Sequence, residues 1–173
     1  MFALSSDDLH SRILGCADGP ASFNAEATAA GYRVVSCDPL YRFSAAAIRQ
    51  RIHETCETVI EQTRRNQQDF VWTSISSVEA LRELRTASME RFLADFELGQ
   101  LEGRYVDAEL PMLPFRDREF VLALCSHSSS STPNSSRRIS ASSPSRRCAE
   151  LLERFGSFRC SRSEAVRLAT SSR

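Results

Sequence analysis

An α/β fold around a parallel sheet is what this sequence predicts, and three observations carry the prediction. Residues 12–38 run as strand, glycine turn, helix, strand and acid. Residues 120–125 are a continuous apolar run suited to a strand buried on both faces, and amphipathic helical stretches fill the interval between. With 173 residues, 42% of them hydrophobic, the chain has the size of one domain and needs neither disulfides nor disorder to account for it.

The elements follow in order. Arg-Ile-Leu-Gly-Cys at 12–16 is a short apolar strand that ends at the turn 17–20, and good helix formers occupy 21–30. Pro20 suits the first helical turn, where a missing N–H is no loss, and Gly31 can close the helix in a left-handed conformation. Residues 33–37 are a β-branched strand, followed by Asp38 and Pro39. A parallel βαβ unit with a right-handed crossover is the economical arrangement.

From Ser44, Ile48, Ile52, Cys56, Val59 and Ile60 recur at helical spacing. A second helix opens with Ser76 and Glu79 at capping-box spacing and carries Leu81, Leu84, Met89, Phe92, Leu93 and Phe96. Both are expected to cover the sheet, with a lid over a ligand as the alternative for one of them; Phe70 and Trp72 read as core. Residues 105–107 are a third strand and 120–125 a fourth, in spatial order 3-2-1-4.

Chemistry concentrates at the strand ends. Gly15 and Gly19 let the backbone approach a ligand, and the helix start beyond them offers N–H groups to an electron-rich partner. Asp38, placed 19 residues after Gly19, stands where a carboxylate accepts hydrogen bonds from ribose hydroxyls. The implied ligand contains adenosine. His127, at the carboxyl end of the fourth strand, is a candidate general base or substrate contact, against the plainer reading of a structural or solvent-exposed histidine. His10 and His53 have no chemical context, and Ser126 has no base or acid arranged around it. The cysteines at 16, 37, 56, 125, 148 and 160 show no C-x-x-C pair and no histidine at zinc spacing, so they read as reduced thiols without a metal site. No apolar stretch approaches the roughly 20 residues of a membrane span, and residues 1–10 lack a signal pattern, so a soluble cytoplasmic protein is expected.

The residues 12–24 (RILGCADGPASFN), 34–41 (VVSCDPLY) and 113–127 (LPFRDREFVLALCSH) resemble a class I S-adenosylmethionine-dependent methyltransferase, within a bacterial branch of unassigned substrate. The resemblance covers residues 1–127. It implies a Rossmann-like fold and S-adenosylmethionine as cofactor. It also implies a glycine turn (Gly15, Ala17, Asp18, Gly19) around the methionine part, Asp38 and Pro39 at the ribose, and Asp107 with Ala108 at the adenine. The general pattern carries an acid where this chain has Ile13 and glycine where it has Ala17; Asp18 is the acid available to replace the first. The methyl acceptor is not implied.

Residues 128–173 break with this composition. They hold 9 arginines against 3 acids and 15 of the 26 serines, whereas residues 1–127 carry 13 arginines against 19 acids. Most serine codons begin with T. Reading one base earlier moves that T to the middle position, which encodes apolar residues, so residues 128–133 can become Phe-Leu-Phe-Leu-Tyr-Ser. The same shift turns 154–161 into an apolar strand. A frameshifted C-terminus is therefore expected: strands 1–4 present, strands 5–7 missing, 128–147 poorly ordered, a helix near 149–154, and no turnover by this chain. Two other classes compete. A Ser/Arg-rich arm could bind nucleic acid or protein, although it has no aromatic residues interleaved for base stacking; a nicotinamide-dependent dehydrogenase fragment would also use Asp38, but lacks the full glycine spacing.

Overall fold

The computed structural model describes residues 4–69, 75–110, 112–125 and 158–160. Phe70, Trp72, Ser126, His127 and the expectations for 128–147 and 149–154 fall outside these residues. The fold is α/β, with an all-parallel sheet in the order β3-β2-β1-β4-β5, compatible with a Rossmann-like arrangement.

β1 (Arg12–Cys16) and β2 (Arg33–Cys37) occupy the expected residues and pair in parallel, Arg12 opposite Arg33 through to Cys16 opposite Cys37. Before them lies α1 (Ser6–His10), which sequence periodicity does not reveal because it is one turn long. Its signal is the Ser5/Asp8 capping box, in which the Asp8 amide donates to Ser5 Oγ at 3.2 Å and the Ser5 amide to Asp8 Oδ2 at 2.8 Å. α2 spans Phe23–Ala29, shorter than expected, and Pro20 stands outside it. Gly31 closes the helix at φ +88°, the left-handed conformation its position demanded.

A 3₁₀ turn, Pro39–Arg42, leads from β2 to α3 (Ala45–Arg65), whose N-cap is Ser44, the residue from which the helical spacing begins. α4 (Val78–Leu101) is capped by Ser77, not by Ser76: Ser77 Oγ accepts from the Ala80 amide at 3.1 Å, so Glu79 lies one residue short of capping-box register. β3 contains only Tyr105–Val106, and Asp107 falls just beyond it. β4 is Leu122–Cys125; Phe120 and Val121 precede it, with the Val121 amide on the Arg12 carbonyl at 3.0 Å.

Strand parity sorts the core. Ile13, Val34, Leu122 and Leu124 face α1 and α2 and cluster with Ala27, Leu4, Leu9 and Phe23. Leu14, Cys16, Cys37, Ala123 and Cys125 face the opposite way, onto Leu113, Phe115 and Phe120. Two crossovers that step in one direction across a sheet put their helices on the same face. α4 accordingly lies beside α2, with Arg91 on Glu26 at 2.7 Å and Ser88 Oγ on Ser22 Oγ at 3.0 Å. α3 packs on α4 through Ile48 and Ile52, which join a buried cluster of Tyr41, Phe92, Phe96 and Tyr105. The return from β3 to β4 crosses the other face, and among the described residues it contains no helix, only the irregular segment that supplies Leu113 to Phe120.

β5 (Phe158–Cys160) corrects the expectation that residues 128–173 add no strand. It pairs in parallel with β4, Ala123 opposite Phe158 and Cys125 opposite Cys160, so β4 is not the exposed edge anticipated. The physical reason is that a sheet edge offers a row of N–H and C=O groups, and these take a backbone partner whatever side chains it carries.

One buried polar group ties the helical face together. Asn24 is 1% exposed; its amide donates to the Arg104 carbonyl at 3.0 Å and Ser36 Oγ at 3.1 Å, and its oxygen accepts from the Arg104 guanidinium at 2.9 Å. Arg104 completes the network with two bonds to Asp95, at 2.7 and 2.8 Å, and Asp95 also accepts from Tyr105 Oη at 2.9 Å. The Arg104 hydrogen bonds, with that of Tyr105, hold the Asp95 carboxyl below its ordinary value against the opposing effect of burial. A carboxyl depressed in the folded state stabilises it above the unfolded value of about 3.9, and that contribution is lost as pH falls through the folded value. Stability measured by urea denaturation is therefore expected to decline below about pH 4, and Asp95→Asn should flatten this part of the profile while lowering stability at pH 7.

Candidate functional site

The carboxyl ends of the strands converge on the segment between β1 and α2. In an open parallel sheet this rim is where ligands meet the fold, at the point where strand order reverses, here between β1 and β4. The turn after β1 is anchored by the Ala17 amide on the Cys37 carbonyl at 2.9 Å, and both Ala17 (φ +55°) and Gly19 (φ +57°) are left-handed. Ala17 thus occupies a backbone conformation that favours glycine, which is the residue that the general pattern carries there.

Asp38 closes the turn from the other side. Its Oδ2 accepts from the Gly19 amide at 2.9 Å and its Oδ1 from the Leu40 amide at 2.8 Å, so one carboxylate spans the glycine turn and the 3₁₀ turn after β2. A carboxylate has about four acceptor directions, which leaves roughly two for a ligand's hydroxyls. The Asp38 amide donates to the Val106 carbonyl at 3.2 Å, which sets β3's end alongside. Pro39, at the first position of the 3₁₀ turn, presets its φ.

Tyr41 supports the same turn and was not anticipated. Its hydroxyl donates to the Gly19 carbonyl at 2.9 Å, while its ring is 2% exposed among Phe92, Phe96 and Tyr105. Burial, reinforced by the charges of Asp18 and Asp38, pushes its phenol well up, so the group stays protonated and donating. Only the tertiary structure reveals this, because an aromatic residue at a helix approach reads as core.

The roles of the other expected residues divide. Gly15 is needed for Asp18: a Cβ at residue 15 would stand 1.8 Å from Asp18 Oδ2, and that oxygen accepts from Ser36 Oγ at 2.7 Å. The Asp18 carboxylate thus fills the space where a side chain at residue 15 would stand. A Cβ at Gly19 would meet nothing within 4 Å, so its need for glycine is conformational. At the start of α2 the Ser22 amide donates to Ser88 Oγ at 3.2 Å on α4. Asp107 is exposed beyond β3 and pairs with Arg42 at 3.4 Å, on the same rim as Asp38. Ala108 is half-buried against the cluster beneath β1 and β4. His10 bonds the Ser6 carbonyl at 2.7 Å. His53 lines a cleft of about 520 Å³ between α3 and α4, with Arg49, Leu93 and Glu97. That cleft lies away from the glycine turn, and Arg49 is already engaged by Glu90 at 2.7 Å, so the strand-end rim is the better candidate.

Comparison with protein-family models, with curated proteins and with solved structures finds no match for this chain. Among the described residues no helix is long and apolar enough to cross a membrane. The strain at Ala17 gives a direct check on the turn. A non-glycine left-handed residue costs about 1–2 kcal/mol, offset on replacement by glycine's extra chain entropy of about 0.5–1 kcal/mol. Ala17→Gly should therefore raise unfolding stability by about 0.5–1 kcal/mol in urea titrations at unchanged m.

Proposed function

We propose that the rim formed by Gly19, Asp38 and Asp107 binds the adenosine part of S-adenosylmethionine, and that the chain derives from a class I methyltransferase. The observation that carries this is the Asp38 carboxylate at the end of β2, held by the Gly19 and Leu40 amides with acceptor capacity remaining for two ribose hydroxyls. Asp107 is available to an adenine amino group at little cost, because its ion pair with Arg42 is solvent-exposed and worth about 0–1 kcal/mol. When bound, the cofactor supplies an electrophilic methyl group; the chain's own contribution is proximity and orientation of that group. Asp18, against Gly15 and Ser36, would be the acid that meets a cationic end of the ligand. No acceptor class is favoured.

A nicotinamide dinucleotide would use the same carboxylate, and it is the second reading for that reason alone. The out-of-frame origin of 128–173 belongs to this proposal; β5, which the sequence as given forms at Phe158–Cys160, lies within the segment that the shifted frame reads as a strand. Coding DNA read one base earlier should yield uninterrupted apolar strands beyond residue 127; stop codons in that frame would contradict it.

Calorimetry with S-adenosylhomocysteine tests the site itself. Saturable binding is expected, weakened by about 1–3 kcal/mol in Asp38→Ala and less in Asp107→Ala, since the first removes a charged acceptor from hydroxyl donors. Asp38→Asn, which keeps one acceptor oxygen, separates ligand contact from turn stability if thermal unfolding is measured alongside. No binding by the intact chain, or equal affinity in Asp38→Ala, would remove the proposal; saturation by reduced nicotinamide cofactor alone would favour the second reading.

A further inference from the structure

Arg42 belongs to the same rim as Asp38 and Asp107. It is the last residue of the 3₁₀ turn Pro39–Arg42, and that turn also carries the Leu40 amide that donates to Asp38 Oδ1 at 2.8 Å. Its Nε donates to the Pro39 carbonyl at 2.9 Å, and its Nη2 lies 3.4 Å from Asp107 Oδ1. Asp107 is brought there by the main chain, because the Asp38 amide donates to the carbonyl of Val106, the residue before it, at 3.2 Å. Asp38, Arg42 and Asp107 thus stand together where β2 and β3 end in register, Cys37 opposite Val106.

The chemistry of a guanidinium decides what this placement offers. Its donors lie in the plane of the group, so bonds from Nε and Nη2 fix that plane and leave its flat faces uncovered by hydrogen bonding. The side chain is 52% exposed, and an ion pair this open to water contributes little stability. Its effect is to orient the group. A planar cation held in one orientation stacks on aromatic rings, and nucleobases are such rings. The Asp107 carboxylate has a second oxygen: Oδ1 faces Arg42, which leaves Oδ2 for an exocyclic amino group. One carboxylate can therefore bond the edge of an adenine while the cation it orients covers the face of the ring.

We propose that Arg42 is the stacking platform for the adenine base, a specificity-determining residue that gives the rim its preference for a ligand carrying an aromatic base. The inference rests on the adenosine reading of the rim and divides the ligand among three side chains. Asp38 takes the sugar hydroxyls, Asp107 the amino edge of the base and Arg42 its face. The opposite role, a latch in which Arg42 holds Asp107 away from the ligand, carries the opposite sign when the guanidinium is removed.

The test is calorimetry of the full chain with S-adenosylhomocysteine and with S-ribosylhomocysteine, which keeps the sugar and the thioether but lacks the base. Arg42→Ala should weaken S-adenosylhomocysteine by about 3- to 10-fold and leave S-ribosylhomocysteine unchanged. Arg42→Lys, which keeps the charge without the plane, should lose most of the same preference. Tighter binding in Arg42→Ala would establish the latch, and an equal loss for both ligands would make Arg42 a brace of the turn; either result, or unchanged affinity, overturns the platform. So would loss of the base-dependent affinity in Phe43→Ala with Arg42→Ala unaffected, since Phe43 is an exposed aromatic ring next in sequence. Binding that responds to Asp38→Ala but not to Arg42→Ala removes this inference alone, whereas no binding by the intact chain removes the adenosine reading with it.

Discussion

The Asp38 carboxylate is the constraint on which the rest of the rim depends. It is the only side chain described here that bonds both to the turn after β1 and to the turn after β2. Without it, the left-handed backbone at Ala17 and Gly19 would be left to the Ala17 amide on Cys37, the Asp18 carboxylate on Ser36 and the Tyr41 hydroxyl on Gly19. Charge-assisted bonds from backbone amides are among the stronger hydrogen bonds in a protein, so a strained turn held this way is preorganised rather than loose. Tyr41 extends the constraint into the core, because the ring that packs on Phe92 and Phe96 carries the hydroxyl that fixes Gly19. Packing of α4 and geometry of the ligand rim are thereby one problem.

The two faces of the sheet are stabilised differently. On the helical face, apolar burial is supplemented by the Asn24, Arg104 and Asp95 network, whose polar atoms are satisfied by one another and by the edge of β3. A buried network of this kind stabilises only when complete, since each unpaired member costs about 1–3 kcal/mol. The opposite face depends on Leu113, Phe115 and Phe120 from an irregular segment, with the Arg12 guanidinium over the Phe120 ring at 4.8 Å and its ion pair to Glu119 at the margin.

How much of this is legible in sequence depends on whether the signal is local. β1, β2, the start of α3 at Ser44 and the Gly31 closure follow from apolar runs, helical periodicity and backbone preference within a few residues, and the structure places them as read. The cap of α4 is displaced to Ser77 because two adjacent serines offer the same chemistry and only the helix register chooses between them. Asp38 is legible from its distance to the glycines, yet its bond to Gly19 is not. The hydroxyl of Tyr41 on the turn and the row of Cys16, Cys37 and Cys125 are tertiary coincidences of residues roughly 20 to 110 positions apart, which no local pattern encodes. β5 was obscured because Ser and Arg composition argues against burial, whereas edge pairing draws on the backbone.

The most direct test of the central claim is a two-dimensional amide spectrum of the labelled chain titrated with S-adenosylhomocysteine. An adenosine ligand on the Asp38 rim should move the Gly19 and Leu40 amide resonances first, because both protons sit on the carboxylate that would receive the ribose. Residues lining the α3–α4 cleft, His53 and Glu97 among them, should stay in place. Shifts centred on that cleft with Gly19 and Leu40 unmoved would contradict the assignment of the site.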